Sequence, residues 1–315
     1  MFICYIFCIF MDMKFDLVKG KRVLISPLNW GMGHVSRCIG LIHRLEKNNN
    51  TVIIACNQKQ KLILELYFPR NKFVSHQGYP FRFSGRRTFG LDLLRSSNRL
   101  KKRYQNELLE TEKLVEEFNI DLVVSDHRYG FRSEKVSSVF VTHQVRLPVR
   151  WFEIAAQMLH KSLVKKFDCV WVLDFPDHRL AGNLSKGNAS FMVDYLGAVS
   201  RFEMYDKFEG EKEGTLVIVS GPSVYGQQFI DNLKPDVDPS NLYSVVAKND
   251  VNVPLRFKQL KGDWLELDKE IMKSKCIISR TGYSTIMDVY YLGCESQLTA
   301  TPGQREQQYL ELLRK

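Results

Sequence analysis

The chain has 315 residues, a formal net charge of +10 and a hydrophobic content of 44%. That length exceeds what one compact core usually holds, so two domains of about 100 to 200 residues are expected, and the hydrophobic content excludes a disordered chain. Seven cysteines without CxxC spacing and seven histidines without HExxH or H-x-H pairing exclude a disulfide scaffold; they predict no metal centre and fit a reducing, cytoplasmic setting.

The opening MFICYIFCIFM is apolar but shorter than the about 20 residues that span a bilayer, and it has neither the basic region nor the cleavage site of a signal peptide. Residues 1–13 are read as an interfacial anchor or as an extension ahead of a start at Met11 or Met13. The positive charge calls for an anionic partner. Nucleic acid is not expected, because no helix-turn-helix, zinc finger or aromatic RNP string is present. Anionic lipid and a pyrophosphate-bearing substrate remain.

Lys21 to Pro27 reads as a first parallel strand, followed by the loop Asn29-Trp30-Gly31-Met32-Gly33-His34 and a helix from about Val35 to Glu46. Gly31 and Gly33 let the chain turn sharply off a strand end, where α/β proteins bind ligands. The dinucleotide fingerprint fails, since Ser36 stands where its third glycine belongs. His34 falls in the first helical turn, where the positive end of the dipole favours a neutral imidazole; it is a candidate general base, or a residue that packs the loop.

Strands are predicted at Thr51 to Cys56 and Lys72 to His76, with a helix at Lys59 to Tyr67 between them. From Arg82 to Arg103 eight basic residues, including Arg86, Arg95 and Lys101, interleave with Phe81, Phe89 and Leu93 against the single acid Asp92. This is a solvated basic face or a surface for peripheral contact with an anionic membrane, where each basic residue contributes about 1 kcal/mol.

A long helix ending near Phe118 precedes the buried strand Asp121 to Ser125 and the loop Asp126-His127-Arg128-Tyr129-Gly130. A second strand, Val139 to Thr142, leads into His143 and Gln144. In a parallel sheet both loops lie on the edge that carries Gly31. Asp126 and His143 are therefore candidate catalytic groups and His127 and Arg128 candidate acceptor contacts, against the alternatives of a helix cap and a structural histidine. A helix at Trp151 to Lys165 and a strand at Cys169 to Leu173 follow, and the first domain, residues 14–200, closes near Leu196.

Residues 201–214 are charged and bounded by glycine, and read as a linker. Residues 215–315 form the second domain, expected to be incomplete at its C-terminus. Thr215 to Val219 is its first strand, followed by Ser220-Gly221-Pro222-Ser223 before a helix; Gly221 and Ser223 make a phosphate-type loop. Asn241 to Ala247 and Asp263 to Leu265 are further strands. Asp236 and Asp238 lie between two prolines and read as a turn rather than a metal motif.

An apolar run through Ile277 and Ile278 then breaks at Ser279-Arg280-Thr281-Gly282, and apolar spacing at Ile286, Val289 and Tyr290 marks a helix ended by Gly293. A helix start carries unpaired N–H groups and attracts phosphate oxygens. Gly282 allows close approach, and Ser284 and Thr285 add hydroxyls. Asp288, one turn on, is placed to accept hydrogen bonds from a ribose diol. A last strand, Gln297 to Ala300, leads to Gln304, Gln307 and Gln308, whose amides can read sugar hydroxyls.

The pattern Arg280, Thr281, Gly282, Thr285, Asp288, Pro302, Gln307 and Gln308 resembles the family 28 C-terminal domain of GT-B glycosyltransferases. That type includes the N-acetylglucosaminyltransferase acting on the lipid-linked peptidoglycan precursor. Gly31, Gly33 and His34 resemble the glycine-rich loop of its first domain, and SD-x-RYG with THQ is similar to a bacterial branch of the group. Asp288 stands where Glu is usual. The resemblance implies two Rossmann-like domains with parallel sheets facing across a cleft and a UDP-sugar donor without other cofactor or metal. It also implies an inverting transfer, deprotonated by His34 or Asp126, to a glycan or lipid-linked acceptor at the inner face of the membrane. A nucleotide-sugar 2-epimerase and a non-catalytic nucleotide-sugar-binding subunit are the alternatives.

Overall fold

The computed structural model describes residues 13–79, 97–148, 154–187, 190–221, 223–233, 243–247, 251–254 and 257–315. The apolar residues up to Met11, the arginines from Arg82 to Arg95, Pro222 and the turn at Asp236 and Asp238 lie outside them. The described chain divides into two compact units, one ending at Arg201 and the other beginning at Phe202.

The first unit alternates β1 (Arg22–Pro27), α1 (Met32–Lys47), β2 (Thr51–Cys56), α2 (Gln58–Tyr67), β3 (Lys72–Ser75) and α3 (Ser97–Glu117). It continues through β4 (Leu122–Asp126), β5 (Ser137–Thr142), α4 (Ile154–Val164), β6 (Cys169–Val172) and β7 (Val193–Tyr195). Its strands form one sheet in the order β3-β2-β1-β4-β5-β6-β7, each pair parallel. Strands covered on both faces need near-continuous apolar runs, and β1, β2, β4 and β5 have them: after Arg22, Thr51 and Ser137 every residue is buried. Leu24, Ile53 and Val123 from three neighbouring strands meet Val115 of α3 and Phe131 in one core cluster. Each such side chain contributes roughly 1.5 to 3 kcal/mol by leaving water.

Met13 belongs to this unit, since the Trp171 indole N–H donates to its carbonyl at 2.9 Å and Phe15 meets the Trp171 ring edge-on. At the other end of the unit, Arg44 near the C-terminus of α1 donates to the carbonyls of Leu196 and Ala198 at 2.7 and 2.5 Å, and Arg201 donates to the Ser36 hydroxyl at 2.8 Å. Gly40 faces the same segment, where a Cβ would come within 2.5 Å of the Ser200 carbonyl oxygen. The segment 196–201 is thus fastened along α1, beyond the closure expected near Leu196.

The second unit comprises β8 (Glu213–Ile218), α5 (Ser223–Asp231), β9 (Tyr243–Val246), β10 (Lys258–Gln259) and α6 (Trp264–Lys273). Then come β11 (Ser274–Arg280), α7 (Tyr283–Leu292), β12 (Glu295–Thr299) and α8 (Arg305–Leu312). Its parallel sheet runs β10-β9-β8-β11-β12. Val217, Val245 and Ile278 of adjacent strands pack with Phe229 and Ile230 of α5.

Two expectations differ here. The strand expected at Asp263 to Leu265 is the start of α6: the Asp263 carboxylate accepts from the Glu266 N–H at 3.0 Å while Glu266 accepts from the Asp263 N–H at 3.1 Å, a reciprocal capping box. The stretch 201–214, expected as a linker, begins with a 3-10 turn, and its Phe202 is 1% exposed in a cluster with Leu216, Ile271 and Ile277. Lone aromatic residues in a charged run can anchor a core without any periodic signal. No described helix is long and apolar enough to cross a membrane.

Candidate active site

In both sheets the strand order reverses once, between β1 and β4 and between β8 and β11, and at such a switch point the flanking loops part to leave a crevice at the strand C-termini. Pro27 is level with Asp126 in the first sheet, so the loop that carries Gly31 and Gly33 and the residues after β4 share one edge. Space beside Gly31 is open among the described residues, none of which comes within 4 Å of a Cβ built there.

His34 sits in the first turn of α1 and is 19% exposed. Its Nδ1 lies 2.7 Å from Oδ2 of Asp126, the last residue of β4, whose side chain has no exposure. Arg37, one turn further along α1, reaches Oδ1 of Asp126 with Nε at 2.8 Å and with a terminal nitrogen at 2.5 Å. The same terminal nitrogen lies 2.7 Å from Nδ1 of His34, and the other lies 3.2 Å from Nδ1 of His143. Three of the predicted residues, His34, Asp126 and His143, therefore converge around one buried guanidinium.

The charges follow from the geometry. Burial alone would push the Asp126 carboxyl up, but Arg37 and then His34 outweigh it and hold the group below the usual carboxylate range. Burial and then Arg37 lower the proton affinity of His34 against the opposing pull of Asp126. Nδ1 cannot donate to Asp126 and accept from Arg37 at once. The carboxylate contact calls for Nδ1–H, which leaves Nε2 with a free lone pair, and the guanidinium contact calls for a bare Nδ1, so the two neighbours of the ring compete for its tautomer.

His127 adopts a left-handed backbone with φ of 58°. Its Nδ1 lies 3.1 Å from the Thr142 hydroxyl and its ring is 6.1 Å from that of His34, edge to face. Burial and then Arg37 keep it neutral. Arg128 points elsewhere. Expected among the acceptor contacts, it is fully buried, donating to Glu107 at 2.7 Å and to the Gln77 carbonyl at 2.6 Å.

In the second unit, Gly221 follows β8 with φ of 88°, a conformation glycine adopts without strain, and among the described residues no atom lies within 4 Å of a Cβ there. Ser223 opens α5. After β11, Gly282 caps α7 without any side-chain cap, so the first N–H groups of that helix have no side chain of their own cap to satisfy them. Ser284 and Thr285 in this first turn are half-buried, and Asp288 is buried. Thr281 is fully buried, and its hydroxyl has no partner among the described residues.

Arg280 is more engaged than expected. It donates to the carbonyls of Ala300 and Tyr225 at 3.0 and 2.9 Å and covers the Phe229 ring at 4.6 Å, which ties α5 to the loop after β12. Gln307 accepts from the Thr301 N–H at 2.8 Å and so shapes that loop. Gln304 is half-buried at the start of α8, and Gln308 is exposed. Among the described residues no group of three His, Cys, Asp or Glu side chains is arranged to hold a metal ion.

Arg37 was missed by the sequence reading. Its signal was position alone, three residues after His34 and so on the same helical face.

No protein-family model matches the chain, and no curated protein sequence does. Solved structures do. The spinosyn rhamnosyltransferase SpnG complexed with thymidine diphosphate aligns with a TM-score of 0.57 at 13% identity, over 90% of this chain and 82% of that one. Arabidopsis thaliana UGT89C1 complexed with UDP-L-rhamnose aligns with a TM-score of 0.55 at 11% identity, over 93% and 82%. The glycosyltransferase SnogD from Streptomyces nogalater gives 0.56 at 13%, over 93% and 84%. At these identities the likeness is one of architecture, and it establishes that the chain has the GT-B fold of those glycosyltransferases.

Proposed function

We propose that this protein is a glycosyltransferase that moves a sugar from a nucleoside diphosphate to an acceptor hydroxyl. The observation that carries the reading is the 2.7 Å contact of His34 Nδ1 with the buried Asp126 carboxylate, at the switch point of the first sheet. An imidazole oriented by a carboxylate on one nitrogen presents a base on the other. Nε2 of His34 takes the acceptor proton, the acceptor oxygen attacks the anomeric carbon, and the bond from that carbon to the diphosphate oxygen breaks with its electron pair on the leaving group. Asp126 stabilises the imidazolium as it forms. A single displacement of this kind inverts the anomeric centre.

The second unit supplies the donor contacts in this reading. The start of α7 with the hydroxyls of Ser284 and Thr285, and the turn at Gly221 before α5, would bring two helix N-termini to a diphosphate. Asp288 and the amides of Gln304 and Gln308 would meet the ribose and the sugar. We favour a UDP-sugar such as UDP-N-acetylglucosamine and a glycan or lipid-linked acceptor, on the resemblance to the family 28 type.

The test is release of free nucleoside diphosphate from a panel of UDP-, GDP- and TDP-sugars, with and without bacterial lipid extract. Release that needs one donor and the extract, and falls about 100-fold or more in His34→Ala, supports the reading. Thermal stabilisation by a UDP-sugar with no release under any condition would overturn it in favour of a binding subunit.

A further inference from the structure

We infer that Arg37 is a positioning residue for the base: it aims Oδ2 of Asp126 at His34 and sets a fixed positive charge against the imidazole. This rests on the reading of His34 as the base, but its physical content does not depend on the substrate.

The argument begins with how the guanidinium is used. Arg37 is 4% exposed and takes Oδ1 of Asp126 with two nitrogens, at 2.8 and 2.5 Å. Two donors on one oxygen pin Oδ1 in place, which leaves Oδ2 to face His34. An ion pair with no further reach would serve stability alone. This one goes on to touch Nδ1 of His34 at 2.7 Å and Nδ1 of His143 at 3.2 Å, so one group contacts the carboxylate and two ring nitrogens of the cluster.

The tautomer follows from the competition at Nδ1 of His34. With the carboxylate held in place, Nδ1–H points to Asp126 and Nε2 is free to accept a proton. With the carboxylate turned away, Arg37 would donate to Nδ1 instead, the proton would move to Nε2, and the ring could not act as a base. The charged and titratable groups facing the ring are Arg37 from α1, Asp126 at the end of β4, His127 after it and His143 after β5. Cys38, next along α1, is fully buried, and burial and then the Asp126 charge hold its proton tightly. Arg37 is the one group in this set that carries a permanent positive charge.

The experiment reads the His34 ring by nitrogen and carbon NMR across pH in the unliganded protein, in wild type, Arg37→Lys and Arg37→Met, with His34→Gln for assignment. The expected result is a titration midpoint that rises by about one pH unit or more in Arg37→Met. In Arg37→Lys the midpoint stays near wild type, while the fraction of Nδ1–H tautomer falls, because an ammonium lacks the rigid pair of donors that pins Oδ1. The acidic limb of kcat/KM moves with the midpoint. A folded Arg37→Met with unchanged midpoint and tautomer would overturn the inference. If that variant does not fold, a wild-type tautomer in Arg37→Lys overturns it equally. The spectra need neither donor nor acceptor, so a failure to find glycosyl transfer and a failure of this inference give separate results.

Discussion

Arg128 and Glu107 form an ion pair in which neither side chain is exposed, with Nε of Arg128 donating to Oε1 of Glu107 at 2.7 Å and the Tyr79 hydroxyl donating to Oε2 at 2.5 Å. The pair joins the middle of α3 to the loop after β4. Burial pushes the Glu107 carboxyl up, and Arg128 opposes it.

Removing one partner leaves the other buried and uncompensated. Glu107→Ala is expected to lower stability by about 3 to 5 kcal/mol, measured by urea denaturation. A loss below about 1 kcal/mol would show that the loop relaxes to let water reach Arg128.

The pH profile of the transfer reaction carries the sign of the His34 shift. A base works when neutral, and burial together with Arg37 holds His34 below its ordinary 6.5. The rate is therefore expected to stay on its plateau as pH falls through 6.5 and to decline only below it. Asp126→Asn is expected to lower kcat about 100-fold or more, because the amide no longer enforces Nδ1–H. A limb centred above 6.5 in the wild type would contradict the assignment.

His160 makes a separate prediction about stability. Its Nε2 lies 3.0 Å from the Gln144 carbonyl and so donates to it; Nδ1 must then accept from the Tyr129 hydroxyl at 2.7 Å, which fixes a neutral ring. Burial lowers its pKa to about 4. The unfolded chain binds a proton near 6.5 and the folded chain does not, so stability falls as pH drops from about 6.5 and stops falling near 4. The total is about 3 kcal/mol from this one group. His160→Gln should flatten that part of the curve; an unchanged slope would assign the loss to other groups.

Thr281 tests the donor side. A buried hydroxyl without a partner costs stability, so Thr281→Val, which keeps the shape, is expected to stabilise the unliganded protein by about 1 kcal/mol. If nucleotide binding draws on that hydroxyl, calorimetry with UDP will show affinity reduced about tenfold. Equal affinity would confine Thr281 to the core.

The sequence made most of the framework legible because parallel strands buried on both faces must be continuous apolar runs, as in Val52 to Cys56 and Leu122 to Val124. Strands without that constraint escaped: β7 is three half-buried residues and β10 two exposed ones. The start of α6 was misread although Asp263 and Glu266 spell a capping box, because Trp264 and Leu265 look like a short apolar run. At the site, His34, Asp126 and His143 could be found from their place at strand ends. Arg37 resembles any basic residue on an amphipathic helix, and Arg128 is drawn away from the strand ends by Glu107 and the Gln77 carbonyl, partners that its own stretch of sequence does not contain.

Helix α1 has 16 residues, a rod of about 24 Å. The base stands at one end; at the other, Arg44 grips the chain at Leu196 and Ala198, just before it leaves the first unit. Gly40 leaves no slack between rod and chain midway along. From there the segment runs back along the rod to Arg201, which donates to the Ser36 hydroxyl two residues from His34, so the chain leaves the first unit at the same end of α1 that carries the base.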